Sequence, residues 1–199
     1  SFLAPALQKK LAHHRLPLVL IDHEPQDIVA DSLLSDAFES GRMATQHLID
    51  LGHQKIACIS GPLNMPVSQA RVDGWKSAMQ QLPNFCYEQL LFEGSFNIAS
   101  GVELAKKILT QTQCSAVFAC NDMMALGVLT AASYLNVQVP QKLSVIGVDG
   151  IAMGQYASPA LTTVGKDLIA LGAQAANLLI SRITNQITGG NLRVMTQSN

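Results

Sequence analysis

The residues best suited to chemistry in this sequence lie in the stretches that follow short apolar runs: Asp22, Arg71 in the stretch from Gly61 onward, Asn121 and Asp149, with the aromatic Phe96 among them. Carboxylates accept hydrogen bonds from hydroxyls, whereas a guanidinium and a carboxamide donate them. An aromatic face stacks on a sugar ring or a base. Together they suit a small, neutral, hydroxyl-rich ligand. Charge-assisted hydrogen bonds contribute about 1.5–3 kcal/mol each, so a few in a closed cleft suffice for micromolar binding. His23, in the loop His23-Glu24-Pro25 that follows Asp22, is a further candidate contact by position.

Catalytic patterns are missing from the sequence. It contains no GxSxG elbow, GxxxxGK[ST] loop, GxGxxG turn or HExxH helix. Asp22 and Asp149 have neither a nucleophile nor a metal partner in view, so they point to recognition rather than hydrolysis, and no enzyme is expected. Nor is a metal or cofactor implied. Asp122 falls in the first turn of a helix, where a negative charge stabilises the helix dipole. His13-His14 reads as a solvated helix face, and His53, after the helix-stopping Gly52, as a partner of a helix carboxyl end.

These residues must be positioned by alternating strands and helices, the pattern of a parallel α/β sheet. Pro17–Ile21 reads as a strand, with a second extended stretch near Ser32–Leu34. A helix over about Ala37–Leu51 ends at Gly52. Strands at Lys55–Ser60, Gln89–Phe92, Ala116–Cys120 and Leu143–Val148 alternate with helices near Ser68–Gln81, Ile98–Thr110 and Asp122–Leu135. A loop with Pro159 leads to a long amphipathic helix over about Asp167–Thr184, and a short strand near Leu192–Thr196 closes the pattern. Ligands in such sheets bind at strand carboxyl ends, where these candidates gather.

Composition narrows the class. Apolar residues make up 48% and charged residues 14%, which describes a packed globular protein with a thin polar shell. Thirteen Lys and Arg stand against fourteen Asp and Glu, so the sequence lacks the basic excess of a nucleic-acid-binding module. Cys58, Cys86, Cys114 and Cys120 form no CxxC pair and read as reduced thiols, most of them in apolar segments. No apolar run approaches the roughly 20 residues of a membrane span. Ser1, with no initiator Met, reads as a cut end.

Several stretches resemble the LacI/GalR family of transcriptional regulators. They are Gly41–Ile56 with Ile59-Ser60-Gly61-Pro62, Arg71-Val72-Asp73-Gly74-Trp75, Ala116–Gly127, Val139-Pro140, Leu143–Asp149 and Pro159–Val164. Their order and spacing hold from about Pro17 to Ile183. Within the family, Ala57–Leu63 is similar to ribose-operon repressors.

The resemblance implies an α/β, periplasmic-binding-protein-like fold: two lobes of parallel sheet flanked by helices, joined by three hinge crossovers, with part of the first lobe lying upstream. It places 1–34 and 165–188 in one lobe and 35–164 and 189–199 in the other. It further implies an effector-sensing domain that binds a small sugar-like or related polar metabolite between the lobes and so controls operator binding. The DNA-binding helix-turn-helix head would precede Ser1, and the protein would be a cytoplasmic homodimer with no membrane contact. The alternative is the sugar-binding receptor of an ABC importer, which shares the fold. By matching motif, the effector contacts would be Asp22, Arg71, Phe96, Asn121 and Asp149.

Three departures from the family pattern stand out. Ser35-Asp36 replaces Asp-Asn, Gly150 follows Asp149 where Asp or Asn is common, and Lys166-Asp167 replaces Gln-Pro. A Lys166 that points into the cleft would favour an effector carrying a carboxylate or phosphate. The alternative is a lysine that reaches solvent beside Asp167.

Overall fold

The computed structural model describes residues 5–12, 16–23, 28–83 and 85–196. The readings made for Ser1, His13-His14 and Glu24-Pro25 lie outside these residues. The chain divides into two compact units: Ala37–Lys166, and Ser1–Asp36 with Asp167–Asn199.

The larger unit is built from β/α repeats. Helix α2 (Ala37–Asp50) follows helix α1 and strands β1 and β2 of the smaller unit, given below. Then come β3 (Ile56–Ser60), α3 (Pro66–Met79), β4 (Leu91–Glu93), α4 (Ile98–Gln111), β5 (Ala116–Ala119), α5 (Asp122–Tyr134), β6 (Ser144–Asp149) and β7 (Thr162–Gly165). All pairings are parallel, in the order β4-β3-β5-β6-β7. Every residue of β3 and β5 is buried, as expected of strands covered on both faces. Trp75 fills the space beneath β3, donating Nε1–H to the Ile56 carbonyl at 3.3 Å and meeting Phe85 edge-on at 5.4 Å.

Helix contacts set the placement of α3. A Cβ on Gly41 would lie 2.1 Å from the Arg71 carbonyl oxygen, and one on Gly74 would lie 2.0 Å from that of Phe38. Only glycines let α2 and α3 approach this closely. Pro66 opens α3 at its first turn, two residues before the expected start, where a missing N–H costs nothing.

Two expectations for this unit change. Thr162–Gly165, expected in a loop, pairs with β6 as an edge strand. The His53 ring does not serve the carboxyl end of α2. That end is closed by backbone alone: Gly52 (φ +92°) donates to the Ile49 carbonyl at 2.8 Å and His53 to that of Leu48 at 3.1 Å. The ring is thereby released to bridge Ser115 Oγ (2.8 Å from Nδ1) and Ser144 Oγ (2.9 Å from Nε2), which ties the amino ends of β5 and β6.

In the smaller unit, α1 (Pro5–Ala12) precedes β1 (Val19–Ile21) and β2 (Asp31–Ser35), while α6 (Leu168–Ile183) leads to β8 (Arg193–Thr196). The three strands form a parallel sheet in the order β1-β2-β8, with Leu33 packed on Leu171 and Ala175. Asp167 caps α6, its Oδ1 accepting from the Ala170 N–H at 2.8 Å.

Residues 189–199 were expected with the larger lobe. The described part of that segment instead completes the smaller sheet, because β8 pairs with β2 from Ser32↔Arg193 to Ser35↔Thr196. The chain passes between units at 36–37 and 166–167, and the third crossover expected at 188–189 does not form.

Candidate functional site

Strand order reverses at β3 in the larger sheet, with β4 on one side and β5, β6 and β7 on the other. Ligand crevices in open parallel sheets form outside the carboxyl ends at such a reversal. Four of the candidate residues gather at these ends, and Lys166 follows β7.

At the end of β3, the Phe96 ring lies directly over Gly61, where a Cβ would sit 2.0 Å from the ring. Phe96 itself has φ +59°. The Asn121 side chain holds it there, donating Nδ2–H to the Phe96 carbonyl at 3.1 Å. The same amide caps α5, its Oδ1 accepting from the Met124 N–H at 2.9 Å. Asn121 therefore fixes the Phe96 segment and the helix start at once.

Arg71 reaches over the sheet from α3 and is only 4% exposed. Its Nη1 donates to the Cys120 carbonyl at the end of β5, and its Nη2 donates to Asp149 Oδ1 at 2.9 Å. Among the described residues its buried Nε–H has no acceptor. A solvent-exposed helix arginine is thereby ruled out for Arg71. Lys166 Nζ lies 4.0 Å from the same Asp149 oxygen, and its side chain is 10% exposed. One carboxylate thus stands between two cations, in a site rich in donors.

Asp122 is fully buried, and its two oxygens serve the loop after β6 and strand β7. Oδ2 accepts from the Ile151 N–H at 2.8 Å, and Oδ1 from the Thr163 hydroxyl at 2.6 Å. Burial pushes its carboxyl above the ordinary range, opposed by the Thr163 and Ile151 hydrogen bonds. The role expected from the helix dipole misses these contacts. Thr163 was no candidate at all, and the β-branched run Thr162-Thr163-Val164 was the one signal for its strand.

Asp22 and His23 belong to the smaller unit, at the carboxyl end of β1. Asp22 (φ +50°) accepts from both the backbone N–H of Ser35, at 2.8 Å, and the Ser35 hydroxyl, which staples β1 to β2. His23 is half-buried.

Among the described residues no group of His, Cys, Asp and Glu could hold a metal ion, and no helix is long and apolar enough to cross a membrane. Cys58 in β3 and Cys120, just after β5, are buried with their sulfurs 3.9 Å apart, whereas Cys86 is exposed.

A family model described as a periplasmic binding protein-like domain matches residues 45–197. The chain is similar to the HTH-type transcriptional repressor PurR of Haemophilus influenzae (strain PittEE), 36% identical over 178 residues that cover 87% of this chain and 52% of the relative. It spans about half the length of such curated relatives. Among solved structures it is similar to a LacI-family regulator from Enterococcus faecium with bound ribose (TM-score 0.81, 29% identity, 98% of this chain and 70% of that one). It is also similar to the transcriptional regulator CelR in complex with cellobiose (TM-score 0.85, 27% identity, 98% and 67%). These matches do not single out the ribose-operon subgroup that Ala57–Leu63 suggested.

Proposed function

We propose that this chain, which belongs to the periplasmic binding protein-like domain family in the form carried by LacI-family regulators, senses a small polar effector for a transcriptional repressor. The observation that carries the reading is the buried Arg71 guanidinium, clamped on Asp149 and the Cys120 carbonyl at the point where strand order reverses. A planar fork held in this way presents donors in fixed directions, as recognition of hydroxyl or ring oxygens requires. Phe96, seated on Gly61, supplies the apolar face. Asp22 and His23 are proposed as contacts from the smaller unit. Ribose and cellobiose, bound by two of the similar structures, indicate the ligand class.

In this reading effector binding biases a two-state equilibrium that sets the affinity of a helix-turn-helix head for operator DNA, in a cytoplasmic homodimer. Moving such an equilibrium from 1:99 to 99:1 takes about 5.5 kcal/mol of differential affinity. The names of the relatives support a repressor over an importer receptor.

The test is Arg71→Ala in the full-length repressor, measured by effector titration and operator binding. The expected result is effector affinity weakened roughly tenfold or more with operator binding retained. Unchanged effector affinity would remove Arg71 from the site.

A further inference from the structure

The site's central carboxylate stands on an unusual piece of backbone. Asp149 has φ +119° and Gly150 has φ +72°. A side-chain-bearing residue in that region persists only where its surroundings hold it. The Asp149–Arg71 contact accounts for the carboxylate but leaves the backbone conformation unexplained.

The two residues after Asp149 are tied down from α5 and β7. The Ile151 N–H donates to Asp122 Oδ2 at 2.8 Å. The Gly150 N–H points at Thr163 Oγ1 at 3.3 Å, and that hydroxyl in turn donates to Asp122 Oδ1 at 2.6 Å. The network thus takes up the N–H groups of both residues that follow Asp149.

The surroundings are shaped for this network. A Cβ on Gly147 would lie 2.2 Å from Asp122 Oδ1, so a glycine in β6 makes room for the carboxylate. A Cβ on Gly150 would lie 3.0 Å from the Gly165 Cα, which holds the turn against β7. Asp122 opens α5, where an acid ordinarily faces solvent and the helix's own amides. Here it is fully buried, and it accepts from Ile151, after the turn, and from Thr163 on β7.

We infer that Asp122 and Thr163 are positioning residues of the effector site, a latch that fixes the Asp149-Gly150 turn so that the Asp149 carboxylate stays on Arg71. Neither needs to touch the effector. The inference rests on the proposed reading of Arg71 and Asp149 as effector contacts, and its own test requires no effector.

That test is a double-mutant cycle in the full-length protein, with Arg71→Met and Asp149→Asn measured by urea unfolding, alone and combined. The cycle is then repeated in the Thr163→Val background, which removes the hydroxyl and keeps the shape. The latch predicts that the coupling between Arg71 and Asp149 falls at least about threefold, as an equilibrium ratio, when the hydroxyl is removed. Thr163→Ser should restore it. An unchanged coupling overturns the latch.

Hydrogen exchange on the wild-type protein gives an answer even where the valine variant unfolds. Protected Gly150 and Ile151 amides support the latch, and exchange at unstructured rates overturns it. Effector binding that ignores Arg71→Ala is a separate result, which overturns the effector reading rather than the latch.

Discussion

Asp31 and Arg182 form a two-pronged ion pair across the smaller unit, with Arg182 Nε donating to Asp31 Oδ2 at 2.8 Å and Nη2 to Oδ1 at 2.7 Å. Asp31 also accepts from the Leu192 N–H at 2.7 Å, and Arg182 donates to the carbonyls of Gly189 and Gly190 at 3.1 and 2.7 Å. The pair therefore fixes the turn between α6 and β8. Asp31→Ala leaves the half-buried Arg182 without its counter-ion and the Leu192 N–H without its acceptor, so the smaller unit should be destabilised, read as a lower urea midpoint. Hydrogen exchange should show β2 and β8 losing protection while β3 and β5 keep theirs.

The acid response combines groups of opposite sign. Burial holds His53 below its ordinary value of 6.5, so the unfolded chain takes up that proton first. Stability should fall as pH drops through 6.5, and His53→Gln should abolish this early loss. The hydrogen bond from Arg182 holds the Asp31 carboxyl below 3.8, so its contribution is intact above 3.8 and lost as pH falls through the lower, folded value. Asp122 works the other way: burial raises its pKa, so protonation recovers stability as pH falls through that raised value toward 3.8. Thermal unfolding followed across pH in wild type and His53→Gln would separate the first phase from the others.

Gly41→Ala should force α2 and α3 apart, since the new Cβ would meet the Arg71 carbonyl at 2.1 Å. The expected loss is about 1–3 kcal/mol by urea unfolding. The same shift should move the Arg71 side chain, so effector affinity should weaken even after stability is restored with a lower temperature.

A Lys166 that faces the effector, rather than only balancing Asp149, would favour an effector carrying a carboxylate or phosphate. On that hypothesis Lys166→Gln should weaken binding of ribose 5-phosphate by roughly tenfold or more while leaving ribose nearly unaffected. Calorimetry with both sugars would show it. Equal loss for the two would sink the idea.

Strands β3 and β5 were legible because burial on both faces leaves continuous apolar runs, and α2 because Gly52 marks its end. Strand β7 was not: four residues at a sheet edge, soon after Pro159, carry little periodicity. Residue types marked Arg71 and Asp149 as candidates, but they meet across 78 residues of chain, and no local pattern reports such a contact. The Asp122 network is hidden for the same reason, because Thr163 lies 41 residues away. The site's chemistry could be read as a set of donors and acceptors. The framework that aims them is tertiary.

The pairing of β2 with β8 also has a consequence during synthesis. Ser32 finds its partner only at Arg193, near the end of the described chain, whereas every strand of the larger sheet pairs within residues 56–165. As the chain leaves the ribosome, the larger unit can close on itself while β2 still has one edge unpaired. An unpaired edge is where nascent chains stick to one another. Of the two units, the smaller is therefore the one with more to gain from a chaperone, and the one where slower translation would leave a strand edge exposed longer.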